Sequence, residues 1–436
     1  MATYQVVPTE LKKYKFSENA FLPKIVTVHL KQEKKCNFLC LVKAGDIVKE
    51  GDIIAIPDRE NENFAKIHSP IPGKVIDIVK TLTPNGQYEK AVKIKLEGKF
   101  DFTGKKLLKH DYSNLDIKEL IKKLADKGII NTFIISKPES LSKQITSLED
   151  RRERVLIVRL YDEDKLRLSD SLLTKFYAAK IIEGAKITAR MIGTKRIVLV
   201  ADSKTNIDEI SALINSENIL LLKNRINHYP AGFKREIISS FNKNLKKSCD
   251  FTISSKDLFT DSYTMLNVDN AIVYDLPSIS TYVQFTGNCL PESCFLKVKL
   301  GFTLRELVNQ LGGFIHEPSM IIINGAVCGN SVNSMDVPIT KTVKSVEFLS
   351  KKNIFDYQIY NCIHCGNCRF ACQVKISPDI IYAYMNEQKQ ISESFIKSVA
   401  LCTECGLCNS VCPSRLPLTQ TISILKEKIS GEQNEK

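Results

Sequence analysis

The chain has 436 residues, a 43% apolar fraction and a formal net charge of +13. That length suits about three or four domains. No run approaches the ~18 to 20 apolar residues of a membrane span, and the N-terminus MATYQVVPTELKKYKF lacks the apolar stretch of a signal peptide, so no transmembrane segment and a cytoplasmic setting are expected.

Residues 1–105 read as strands. LVKAGDIVKEGDIIAIPD alternates apolar and polar residues around turns at Gly45-Asp46 and Gly51-Asp52. IHSPIPGKVIDIVK continues the pattern, with Pro70, Pro72 and Gly73 as breakers. The pattern resembles the barrel-sandwich fold of biotinyl and lipoyl carriers. Those carriers present a lysine at a hairpin tip, commonly after a methionine. Lys66, in RENENFAKIHSP, lacks that context. Cys36 and Cys40 read as ordinary strand residues in a reducing cell.

Residues 106–250 alternate between helix and strand periods, as a parallel α/β sheet with covered faces requires. DIKELIKKLADKG is an amphipathic helix ending at Gly128. GIINTFIIS and RVLIVRLY read as buried strands. SDSLLTKFYAAKIIEGAKITARMIG is a helix with Ser169 or Asp170 as N-cap. TKRIVLVADS is a strand and NIDEISALINS a helix. Residues 251–350 return to strands. CFLKVKLGFTLRELVNQLGGF holds a short helix ending at Gly312-Gly313, and MIIINGAVCG and SVEFLSK add strands, which resembles a β-grasp module.

Residues 355–425 hold eight of the fourteen cysteines in two runs. Cys362, Cys365, Cys368 and Cys372 form the first; Cys402, Cys405, Cys408 and Cys412, followed by Pro413, form the second. Each has the spacing C-x2-C-x2-C-x3-C of a two-cluster ferredoxin, in which the fourth cysteine serves the other cluster. Cys362, Cys365, Cys368 and Cys412 are therefore expected to hold one [4Fe–4S] cluster, and Cys402, Cys405, Cys408 and Cys372 the other. Structural zinc or disulfides are the alternatives, but zinc sites pair two C-x2-C hooks and need no third and fourth cysteine at these intervals. Asp379–Gln388 and Ser392–Leu401 carry helical spacing, so an all-helical two-cluster domain is expected. His364 lies between ligands, able to reach a cluster sulfur or simply to face solvent. SGEQNEK reads as a frayed tail.

The order of these parts, an α/β multidomain chain with an N-terminal barrel-sandwich hybrid and a C-terminal α-helical two-cluster ferredoxin domain, resembles the RnfC family, the C subunit of the Rnf electron-transport complex. The pieces that carry it are GDIVKEGDIIA with IHSPIPGKV, AAKIIEGAKI, HYPAGFKREII, VPITKTVKSVEFLS, and the two cysteine runs. The resemblance implies an α/β core related to the flavin-binding, NADH-oxidising subunit of complex I. It also implies membrane and cytoplasmic partner subunits of an ion-translocating ferredoxin/NAD oxidoreductase, and attachment at the cytoplasmic face of the membrane.

The resemblance fails at an important place. Where a glycine-rich loop should cradle FMN, the stretch after Gly128 reads IINTFIISKPESLSKQ, without glycine. FMN binding is therefore expected to be weak or absent. A second family loop, acidic and N-x-A-E-x-E-P-like, aligns with RLYDEDKLRLSD. There Asp162 and Asp164 stand as candidate cofactor-binding acids or as an exposed charged turn, with Arg159 and Lys165 replacing the family's Asn and Pro. Tyr229, Pro230 and Gly232 match a Y-P-x-G stretch and read as a structural turn. Gln373 replaces the proline that usually follows the fourth cysteine, which suggests a looser loop.

Basic groups are scattered: Lys31, Lys34 and Lys35; Lys105, Lys106 and Lys109; Arg151, Arg152 and Arg154; Lys243, Lys246 and Lys247. They suit an anionic membrane face or an acidic ferredoxin-like electron carrier. No cluster interleaves aromatics with arginines, which argues against nucleic acid. Three functions follow: an Rnf-type electron-transfer subunit, a cluster-bearing adaptor without flavin or NADH, and a soluble cobalamin-reductase-like protein. No catalytic acid, base or nucleophile is expected.

Overall fold

The computed structural model describes residues 15–17, 22–33, 36–58, 63–148, 154–164, 167–203, 205, 207–214, 218–224, 229–246, 249–353, 358–387 and 392–434. Lys34, Lys35, residues 59–62, Arg151, Arg152, Lys165, His228, Lys247 and Gln388 lie outside them.

The first strand, β1 (Lys15–Ser17), leaves the N-terminal module. The module itself comprises β2 (Ile25–His29), β3 (Phe38–Cys40), β4 (Ile47–Val48), β5 (Ile53–Pro57), β6 (Ile67–His68), β7 (Gly73–Leu82) and β8 (Tyr88–Leu96). They form a four-stranded sheet ordered β2-β8-β7-β4 and a three-stranded sheet ordered β3-β5-β6. The inward residues, among them Val26, Val28, Ile54, Val75 and Ile94, alternate with outward ones and share one core. Lys66 pairs with Asp126 at 2.6 Å.

The middle of the chain opens with α1 (Ile117–Asp126), capped by Asp116, whose side chain accepts from Glu119 N while the Glu119 side chain accepts from Asp116 N. Gly128 follows at φ +73°. Then come β9 (Ile130–Asn131), β10 (Glu139–Ser140), α2 (Leu141–Thr146), β11 (Leu156–Arg159), α3 (Ser169–Met191), β12 (Ile197–Ala201), α4 (Ile207–Leu213), β13 (Ile219–Lys223), α5 (Lys234–Asn244), β14 (Leu258–Asp261) and α6 (Ser262–Val273). The parallel sheet is ordered β13-β12-β11-β14. Leu156 and Val158 pack with the apolar faces of α1, α3 and α6, while Ile157 packs with Ile237 and Phe241 of α5. Burial on both faces is why these strands read as unbroken apolar runs.

Three expectations change here. The sheet does not stop at residue 250: β14 pairs with β11 and α6 packs beneath it, so the α/β layer runs to Val273. Only Ile130 and Asn131 of the expected strand GIINTFIIS pair, with β10; the rest turns back as a loop. Ile129 and Ile135 are buried outside any ladder, while Ile134 is exposed. And neither Ser169 nor Asp170 caps α3: Leu168 holds the cap position without a side-chain bond, and Asp162 supplies the acceptor instead.

The next unit contains β15 (Ser280–Thr286), β16 (Cys294–Lys299), α7 (Leu304–Gln310), β17 (Met320–Ile323), β18 (Asn330–Val332) and β19 (Ser345–Leu349). The six-stranded sheet is ordered β1-β16-β15-β19-β17-β18. One face packs on α7 and the other, through Tyr282 and Phe295, on the α/β core. A buried Glu50–Lys299 pair at 2.6 Å ties this sheet to the N-terminal module.

The C-terminal unit is helical: α8 (Asn367–Ala371), α9 (Pro378–Glu387), α10 (Glu393–Leu401), α11 (Leu407–Ser410) and α12 (Leu418–Asn434). Ser392 caps α10 by accepting from Phe395 N. Helix α12 runs to Asn434, so most of the tail expected to fray is helical. No described helix is long and apolar enough to cross a membrane.

Candidate functional site

The two cysteine runs fold alike. His364 and Glu404 take positive φ, as do Gly366 and Gly406, and Lys375 and Arg415. Gly366 and Gly406 precede α8 and α11, and α9 and α12 start at matching places after them. The spacing of the runs has become a repeated backbone.

Cys362, Cys365, Cys368 and Cys412 line one cavity, closed by Leu416 and Leu418. Three come from the first run and the fourth from the second. Cys372 lies beside Cys405: burial raises the Cys405 thiol, and the charge of Cys372 adds to that. Several groups donate to sulfur or stand near it. Glu404 N reaches Cys402 Sγ at 3.4 Å, Leu416 N reaches Cys412 Sγ at 3.5 Å, and Thr419 Oγ1 lies 3.1 Å from Cys408 Sγ. His364 is exposed, its Nδ1 4.0 Å from Cys362 Sγ. No described His, Cys, Asp or Glu group is arranged around a single metal ion; the thiols line walls rather than meet at a point.

The two sets face different surroundings. The second leans on the core: Tyr229 Oη donates to Cys405 O at 2.5 Å, Lys137 pairs with Glu404 at 3.2 Å, and Arg235 donates to Gln373 O. That last bond ties down the loop expected to be loose for want of a proline. The first set looks outward. Cys365 is exposed, and Ile363 and Phe370 beside it are 66% and 67% exposed.

Within the core, Asp162 and Asp164 are buried, not an exposed turn. Asp162 accepts from Arg167 Nε at 2.9 Å and from Asp170 N and Ser171 N at 2.9 and 3.2 Å. Asp164 accepts from Val327 N at 3.3 Å. Tyr229, Pro230 and Gly232 form a turn against them. A Cβ on Gly232 would lie 2.5 Å from Glu163 Cα.

Comparison with known proteins adds the family. A family profile described as RnfC barrel sandwich hybrid domain matches residues 7–99, and one described as 4Fe-4S dicluster domain matches residues 358–416. The C subunit of a proton-translocating ferredoxin:NAD(+) oxidoreductase complex of Clostridium ljungdahlii is 24% identical over 86% of this chain and 82% of its own length. The corresponding protein of the Na(+)-translocating complex of Acetobacterium woodii is 22% identical over 78% of this chain and 77% of its own. The C subunit of the ion-translocating oxidoreductase complex of Rhodobacter capsulatus is 24% identical over 95% of this chain and 80% of its own.

The chain is similar to the RnfC proteins along most of its length.

The cysteines fit iron–sulfur clusters: soft thiolates, four of them on the walls of one cavity, with donors to sulfur near Cys402, Cys408 and Cys412. The core fits FMN poorly. Its strand ends are occupied by residues that the sequence hardly flagged: Phe133, Arg159, Glu163 and Arg167. The one available signal was Arg159, a charge at the end of the apolar run VLIV, where a buried arginine must find several acceptors.

Proposed function

We propose that this chain is the iron–sulfur electron-transfer subunit of an Rnf-type, ion-translocating ferredoxin:NAD oxidoreductase complex, attached to the cytoplasmic face of the membrane through partner subunits. The observation that carries this is the repeated pair of cysteine loops, in a chain similar along most of its length to the C subunits of such complexes. Cys362, Cys365, Cys368 and Cys412 would hold one [4Fe–4S] cluster, and Cys402, Cys405, Cys408 and Cys372 the other. The lining of a single cavity by the first four supports the crossed assignment. Bound there, such clusters supply one-electron transfer. The peptide and hydroxyl donors on Cys402, Cys412 and Cys408 favour the more negative, reduced state. The relatives are named for different translocated ions, and no residue here selects between them.

The modules support this reading. We take residues 1–105 as the barrel-sandwich, 106 to about 273 as the α/β core related to the complex I flavoprotein, the stretch to 350 as a β-grasp module, and 355–425 as the two-cluster domain. A helix between β16 and β17, under a mixed sheet, supports the β-grasp reading. The N-terminal barrel-sandwich favours Rnf over a cobalamin reductase. Arg369 and Arg415, exposed in the segments that carry Cys368 and Cys412 of the outward set, suit an acidic electron carrier. The test is anaerobic purification with metal analysis: about eight iron and eight acid-labile sulfide per chain are expected for two cubes. Stoichiometric zinc with little iron would sink the reading.

A further inference from the structure

Parallel α/β sheets bind ligands in the crevice outside the carboxyl ends of their strands. In this chain those ends are β11 at Arg159, β12 at Ala201 and β14 at Asp261, with Arg159 in register with both Val200 and Asp261. The loop after Gly128, which should approach a flavin, does lie there. It carries no open cradle. Thr132 N donates to Thr264 Oγ1 at 3.1 Å and Phe133 N to Asn131 Oδ1 at 3.0 Å. Thr132 Oγ1 donates to Asp261 Oδ2 at 2.7 Å. Amides spent on the protein's own acceptors cannot converge on a phosphate.

Arg159 fills the space beneath. Its side chain is fully buried, with the Phe133 ring over it at 4.3 Å. It donates to Tyr161 O at 3.0 Å, Gly232 O at 2.7 Å, Phe133 O at 3.2 Å and Glu163 Oε2 at 3.2 Å. Arg167, also buried, pairs with Asp162 at 2.9 Å and Glu163 at 3.3 Å and donates to Asn324 O at 3.2 Å. Deeper in, Lys344 bridges Asp170 at 2.6 Å and Asp261 at 2.7 Å. The acids that could have met a cofactor are answered by the chain's own cations.

We infer that this internal network of Arg159, Phe133, Glu163, Arg167 and Asp162 occupies the crevice in place of a flavin, and that the chain takes no hydride from NADH and exchanges single electrons only at its cysteine-bearing domain. The chemistry follows from the balance of electrons. NADH gives up a hydride, two electrons with one proton, and becomes NAD+. An iron–sulfur cluster accepts one electron and no hydride. A flavin is the group that takes the pair and releases it singly, so without one the hydride has no acceptor here. A one-electron carrier docking at the outward set around Cys365 needs no such converter. The covered inner set offers no comparable approach. This inference rests on the electron-transfer reading above.

The test uses the full chain, purified without oxygen, with its iron retained. FMN is titrated and followed by quenching of its fluorescence, and the visible absorbance of the clusters is followed after adding NADH, NADH with FMN, or dithionite. Expected are no saturable quenching, no bleaching by NADH with or without FMN, and full bleaching by dithionite. Saturable FMN binding at one per chain, or bleaching by NADH, overturns the inference. Failure of dithionite to bleach, or a lack of iron, overturns the electron-transfer reading instead. Arg159→Met checks the network itself. A fall of several degrees in thermal midpoint is expected, with the cluster spectrum of the folded fraction unchanged. An unchanged midpoint would show that the guanidinium does not hold the crevice.

Discussion

Asp162 shows what a single side chain does here. One carboxylate caps α3 and neutralises Arg167, both out of water. Breaking a buried pair by removing one partner costs about 3–5 kcal/mol, because the other charge stays buried. Glu163 remains beside Arg167, so Asp162→Ala should fall at the low end of that range, about 3 kcal/mol, by urea denaturation. Asp162→Asn keeps an acceptor for the helix amides and should cost less. Equal losses would mean that charge is irrelevant and the cap is everything. Sequence spacing could align Asp162 with a family acid, but it could not show that an arginine five residues on would claim it. Lys344 likewise serves two acids. Burial alone would raise Asp261, yet the Lys344 ammonium holds it down at about 2, while burial pushes Asp170, on the same ammonium, up to about 7.

Among the elements, those with a periodic or covalent signature were legible. The amphipathic helix α1, the apolar strands β11 and β12, the helices flanking the cysteine loops and the cysteine runs themselves all follow from local residues. The stretch after Gly128 did not. Ile129, Ile130, Phe133 and Ile135 are buried there, and a buried loop and a buried strand share that composition. The boundary at 250 failed for a related reason. Strand β14 pairs with β11 across about a hundred residues, and nothing local announces a partner so far away. The repeated loops make two predictions. Cys412→Ala should damage the cluster held by Cys362, Cys365 and Cys368, seen by spectroscopy of the separate clusters; loss confined to the set of Cys402, Cys405 and Cys408 would refute the crossing. Gly406→Ala and Gly366→Ala both strain a positive φ, but only at Gly406 would the new Cβ meet a neighbouring backbone, Val327 O, at 2.2 Å. Gly406→Ala should therefore be the more destabilising and should expose the iron–sulfur unit to limited proteolysis, while Gly366→Ala leaves that contact intact. Equal protease sensitivity would show that Gly406 does not govern docking.

The molecule as a whole sets the cysteine-bearing unit against a core that buries Arg159 and Arg167. Its net charge is +13 and no described helix could span a bilayer. Attachment to a membrane complex would then lean partly on exposed charge. Raising salt should release the chain from isolated membranes, since screening weakens such contacts; retention through salt and carbonate washing would contradict that.

The parallel pairing of Lys15–Ser17 with Cys294–Leu296 places an early segment at the edge of a sheet made from much later residues. Phe16 also stacks on Phe176 at 4.3 Å. At ribosomal rates of about 5–20 residues per second, the first strand waits on the order of 15 to 60 s for its partner to be made. During that interval it is an unmatched strand, and β16, once made, is an open edge until the strand docks. Closing so long a loop is slow relative to local folding. A chain ending before Cys294 would thus leave the first segment only its contacts with Phe176 and Tyr177, without the strand that pairs with it.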